Sequence, residues 1–117
     1  MKFKTKQTNK KMEFNTGMQR EISAGKPRYD LIIPLGEKNH LLRRWADLMA
    51  RGAEKYSARN WEVASTQVEL DRFRESAFRH FMSVMDGDID EDHYAAVCFN
   101  LQGMLLVQSR LLSSLDK

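Results

Sequence analysis

The sequence predicts an all-α fold: a small helical bundle of three main helices, with an extended N-terminal strap, completed by oligomerisation. Three observations predict it. Apolar residues recur at helical spacing through three segments downstream of residue 36. Both prolines, Pro27 and Pro34, lie upstream of those segments, so nothing breaks them. Start and stop signals stand at the joints: Thr66 with Glu69 as a capping box, Gly87 as a stop, Asp90 as an N-cap.

At 117 residues the chain is at most one domain. Residues 1–24 have few large apolar side chains and no sustained period, and read as a disordered basic tail. The domain is residues 25–117. Three short helices bury little apolar surface alone, so a homo-oligomer, dimer or tetramer, is expected. Charge is unevenly divided. Residues 1–28 hold eight Lys/Arg and two Glu, net +6; residues 29–117 hold eleven Lys/Arg and fourteen Asp/Glu, net −3. The basicity belongs to the tail and the segment after it, not to a globular face, and nucleic acid is not the expected partner. Cys98 is the one cysteine and sits in an apolar helical run, which fits packing. No apolar run of about 18 residues and no signal-peptide pattern is visible, so a cytoplasmic protein with no membrane partner is expected.

In chain order, GKPRYDLIIP (residues 25–34) comes first. Its prolines and the flanking Gly25 and Gly36 exclude an α-helix. An extended strap would anchor through Tyr29, Leu31 and Ile33, and present Lys26 and Arg28 together on the other side. The first helix should span residues 37–57, with Leu41, Trp45, Leu48, Gly52 and Tyr56 on one stripe. Gly52 costs about 1 kcal/mol there relative to Ala, and allows close approach of a backbone or a ligand. EKYSARNW (residues 54–61) closes that helix. Its aromatics beside Lys55, Arg59 and Asn60 suit a base and a phosphate, and Trp61 equally suits a hydrophobic plug.

The second helix buries Leu70, Phe73, Ala77, Phe81 and Val84, carries a Glu75–Arg79 pair at i,i+4, and puts His80 on the edge of its apolar face. The turn DGDIDEDH (residues 86–93) is the densest acid cluster. It is not an EF-hand loop, because the sixth and twelfth places hold Glu91 and Val97 instead of Gly and Glu. Capping explains two or three of its acids. Five close together repel one another unless a cation sits among them. The third helix, residues 91–113, is apolar on most sides, and Asn100 within it needs a partner.

The ordered set GKPRYDLIIP, RGAEKYSARNW and SAFRHFMSVMDGDIDEDHYAAVCFN resembles the small dATP/dGTP diphosphohydrolase family of phages and bacteria, a branch of the MazG-like all-α NTP pyrophosphohydrolases. The resemblance covers about residues 25–108. It implies Mg²⁺- or Mn²⁺-dependent hydrolysis of a purine dNTP to dNMP and pyrophosphate. It further implies Glu54, Asp88, Glu91 and Asp92 as metal ligands, with His80, His93 and Arg79 in catalysis. Lys26, Arg28 and Lys55 would serve the phosphates, and Tyr56, Asn60, Trp61 and Asn100 the rest of the nucleotide. One departure stands out. MazG-like enzymes carry ExxE and ExxD on two helices, whereas His93 and Ala96 fall near the ExxD places here. A non-catalytic, sponge-like protein that sequesters a nucleotide is therefore the alternative. A small adaptor using its basic tail on nucleic acid is the third reading.

Overall fold

The computed structural model describes residues 3–5, 10–22 and 24–115. The chain divides into two compact units, the first ending at Ile32 and the second beginning at Ile33.

The N-terminal unit holds regular structure that the sequence reading did not expect. Strands β1 (Lys11–Glu13) and β2 (Gln19–Glu21) pair antiparallel, with Lys11 opposite Glu21 and Met12 opposite Arg20. Phe14 N–H donates to Met18 O at 2.7 Å, which closes the loop. Gly17 sits at φ +92°, a conformation that favours glycine and that this tight hairpin loop requires. The strap is also less extended than expected. Residues Tyr29–Ile32 coil into a 3-10 turn, where Arg28 and Asp30 form a bidentate pair at 2.9 and 2.7 Å. Tyr29 and Leu31 are exposed, so they are not the expected anchors; Ile33, in the second unit, is half-buried.

The helical unit contains α1 (Leu41–Lys55), α2 (Gln67–Asp86) and α3 (His93–Leu115). Helix α1 starts four residues later than expected because the His40 ring caps it, accepting from Arg43 N–H at 3.2 Å. A 3-10 turn at Asn60–Val63 follows, and its entry residue Arg59 lies at φ +62°. Helix α2 opens on the expected capping box. Glu69 N–H donates to Thr66 Oγ1, and Thr66 N–H to Glu69 Oε1. Replacing Thr66 by Ala should cost about 1 kcal/mol in a urea melt. Gly87 ends the helix at φ +75°, as expected.

Helix α3 is capped by Asp92, not Asp90: Asp92 Oδ1 accepts from Ala95 N–H at 3.1 Å. By length and composition α3 is apolar enough to cross a bilayer. Here it packs on α2 and α1 as the central helix, burying Ala95, Ala96, Gly103 and Val107. The core gathers Ala64, Leu70 and Val107, with Phe73, Met104 and Leu111 against them. Phe81 and Phe78 on α2 are exposed, beside exposed Leu101 on α3. Phe81 therefore does not belong to the buried stripe within one chain. Cys98 is half-buried, and burial holds its thiol above the usual range, in the inert protonated form.

Candidate active site

The second half of α1, the Asn60–Val63 turn, the middle of α2 and the start of α3 enclose a cleft of about 500 Å³. That is the size of a small-molecule site. Three kinds of side chain line it.

The first is an aromatic wall. Trp61 meets Phe99 edge-to-face at 6.0 Å, and Phe99 meets Phe73 in the same way at 5.9 Å. Arg110 from α3 holds the turn that carries Trp61, donating to the carbonyls of Glu62 and, at 2.6 Å, Ala64. Trp61 is thus both the plug and the cleft wall that the sequence left open. Tyr56 lies on the same wall, exposed, with the Lys55 ammonium 5.2 Å from its ring.

The second is cationic. Arg51 and Arg59 line the cleft. Arg59 also pairs with Glu62 at 2.7 Å. Its left-handed backbone costs about 1–3 kcal/mol, a strain that collects at functional sites. Arg51 makes no ion pair among the described residues. Gly52, next to it, is not there for a neighbouring backbone. A Cβ at that position would meet no protein atom within 4 Å.

The third is the acidic corner. Asp92 is held by Arg44 of α1 through two bonds, at 2.8 and 2.7 Å. That guanidinium keeps the Asp92 carboxyl below the usual range, helped by the Ala95 N–H against the opposing effect of burial. Next to it, His80 and His93 face each other with their Nδ1 atoms 2.8 Å apart. His93 Nε2 lies 2.7 Å from Asp90 Oδ1, which lowers the Asp90 carboxyl. Burial is the main cause that lowers His80, favouring its neutral form. His80, Glu91 and His93 each offer a ligand atom, all within 4.8 Å of one another.

The sequence-predicted residues fall into two groups. Tyr56, Asn60, Trp61, His80, Glu91, Asp92 and Asn100 line the cleft, and His93 lies against His80. Asn100 is 6% exposed and donates to Ala96 O at 2.8 Å, leaving its Oδ1 as an acceptor. The others within the helical unit do not line it. Glu54 and Asp88 are exposed, Arg79 is taken up by Glu75 and Ser76, and Lys55 lies over Tyr56. Lys26 and Arg28 belong to the N-terminal unit.

Four contributors were not singled out from the sequence: Arg44, Arg51, Asp90 as a partner of His93, and Phe99. Helical phase carried a signal for two of them, since Arg44, Leu48 and Arg51 share one face at i, i+4, i+7.

Mg²⁺ takes six oxygens, and an all-oxygen cage is not what converges at this corner. Glu54 and Asp88 lie elsewhere, and both Asp92 oxygens are engaged by Arg44. The donors that converge are two imidazoles and the Glu91 carboxylate, donor types that transition-metal dications take more readily than Mg²⁺ does.

A cleft of small-molecule size in a helical unit, with an aromatic wall, two arginines and a histidine–carboxylate corner, is the candidate site of this all-α protein. The chain matches the family model described as dATP/dGTP diphosphohydrolase, N-terminal, over residues 16–111, and it belongs to that family. Comparison with curated proteins finds no match, and comparison with solved structures finds none.

Proposed function

We propose that this protein hydrolyses dATP and dGTP to the monophosphate and pyrophosphate with a divalent cation. The observation that carries this reading is the cleft itself. It joins an aromatic wall at Trp61 to arginines 51 and 59 and ends at His80 and Glu91.

The roles follow from the chemistry of each group. Trp61 and Tyr56 offer ring faces to a purine. Asn100 Oδ1 accepts from a sugar hydroxyl or an amino group. Arg51 and Arg59 bring charge-assisted hydrogen bonds to the phosphates, and the open space at Gly52 leaves room for them. Glu91, His80 and His93 would hold the cation. When bound, it supplies charge neutralisation on phosphate oxygens and a more acidic water. Arg44 keeps Asp92 ionised and out of that set, so that Asp92 fixes the start of α3 beside the cluster.

One observation favours binding without cleavage as the second reading. Glu91 is the one carboxylate lining the cleft, among the described residues, that no side chain neutralises. Incubation of the protein with dATP or dGTP and Mn²⁺ separates the two. Release of pyrophosphate and monophosphate is the expected result; tight binding of an intact nucleotide would replace hydrolysis by sequestration. Arg51→Gln should weaken nucleotide binding roughly tenfold or more, the cost of one charge-assisted hydrogen bond. Unchanged affinity would remove Arg51 from the phosphate site.

A further inference from the structure

We infer that the nucleoside end of the substrate enters a second hollow beyond Trp61, and that Arg72 at its outer end reads the guanine edge, so that the site takes dGTP ahead of dATP. The inference rests on the nucleotide reading of the cleft for its ligand, and deepens it by giving the base a place and a reader.

The second hollow, of about 570 Å³, adjoins the cleft, and Tyr56, Asn60, Trp61 and Asn100 line both. Asn100 is the sign that a ligand passes between them. It is 6% exposed, and its Nδ2 donates to Ala96 O, which fixes the amide. No buried side-chain nitrogen or oxygen is left unpaired among the described residues. The Asn100 Oδ1 takes no bond from those residues, so it is open to the hollows as an acceptor. A sugar hydroxyl, lying between base and phosphates, supplies the donor it lacks.

Helix α2 gives the direction. Glu69, Ser76 and His80 share one of its faces at i, i+7, i+11. Glu69 lines the second hollow, and Ser76 and His80 line the cleft. Arg72, also on the second hollow, stands eight residues before His80, about 12 Å along the helix axis. A nucleotide whose phosphates meet Arg51 and Arg59 therefore extends its base past Trp61 towards Arg72. Among the described residues Arg72 is the one cation lining this hollow. Its side chain is 69% exposed and pairs with Glu75 at 3.1 Å. A surface pair of that kind is weak enough for a ligand to replace. Guanine offers two acceptors on one edge, O6 and N7, which a guanidinium meets with two N–H bonds. Adenine keeps N7 but puts an amino donor in place of O6.

The full chain with Mn²⁺ is titrated by calorimetry with the α,β-methylene analogues of dGTP, dITP and dATP, which are not cleaved at that bond, and with tripolyphosphate, which has no base. The dGTP and dITP analogues share O6 and N7. Both should bind about fivefold or more tighter than the dATP analogue, the low end of what a bidentate arginine–guanine contact discriminates, because the side chain is exposed. Arg72→Gln should erase that difference and leave tripolyphosphate affinity unchanged. Glu75→Gln breaks the same surface pair and should keep the preference, which separates a base reader from a structural ion pair. The inference is overturned if the wild type binds the dATP analogue as tightly, if the dITP analogue sides with it, if Arg72→Gln keeps the preference, if Glu75→Gln removes it, or if Arg72→Gln weakens tripolyphosphate equally. An Arg72-dependent preference without release of pyrophosphate from dGTP would keep the subsite and sink the hydrolase reading. Hydrolysis of dATP and dGTP indifferent to Arg72→Gln would do the reverse, and a chain that binds none of the four probes would sink both.

Discussion

Asp92→Asn should lower stability by about 1–3 kcal/mol at neutral pH, the range for a charge-assisted hydrogen-bonded pair removed from a half-buried site. Asp92 and Arg44 have side chains 18% and 32% exposed, so solvent screens the pair less than a surface bridge. The substitution also weakens the cap on α3, because Asp92 Oδ1 serves the Ala95 N–H and Arg44 together. Arg44 would be left over the Tyr94 ring, 5.3 Å away, with no carboxylate.

The pH dependence has a definite sign. Pairing with Arg44 holds the Asp92 carboxyl below its ordinary value of 3.8. A carboxylate lowered by folding adds stability that is complete above the unfolded value and disappears as pH falls through the folded one. The stability gap between wild type and Asp92→Asn should therefore be flat at neutral pH. It should close below about pH 4. Urea melts across that range measure it, and Arg44→Met completes a double-mutant cycle with a coupling of about 1 kcal/mol or more. A variant that keeps full stability but loses turnover would return Asp92 to the metal site.

The sequence made the three helices legible because their signals are local. Thr66 and Glu69 lie three residues apart, Gly87 follows its helix directly, and the apolar stripes repeat within single turns. The N-terminal hairpin was missed because its strands are three residues each and exposed almost throughout, leaving no apolar alternation to read. The cleft was half legible. Trp61, Asn100, His80 and Glu91 stood out by residue type within a recognisable ordered set. Arg44 did not, because its partner is 48 residues away and no local pattern encodes such a pair. The acids of the turn were visible as a cluster, but their separate tasks were not. Asp90 backs a histidine, Glu91 faces the cleft and Asp92 answers an arginine, and three adjacent residues diverge only once α1 and α2 surround them.

Gly103→Ala should destabilise the fold although it improves helix propensity. Ala is better than Gly inside a helix by about 1 kcal/mol. Against that, a Cβ at Gly103 would stand 2.5 Å from Cδ1 and Cε1 of Phe73 and 2.7 Å from Cζ. The ring cannot stay where it is. Overpacking of this kind costs about 1–3 kcal/mol, so after the propensity gain a net loss of up to about 2 kcal/mol is expected in a thermal or urea melt. Phe73 is not free to swing, because it meets Phe99 edge-to-face, and Phe99 in turn meets Trp61. A displaced Phe73 therefore reaches the cleft wall through two ring contacts, and nucleotide affinity should fall together with stability. Phe73→Leu, which shortens the obstacle, should recover part of both losses in the Gly103→Ala background while costing stability alone. If Gly103→Ala proved more stable than wild type, the Phe73 ring would be moving aside freely. The three aromatics would then not form the continuous support that fixes Trp61.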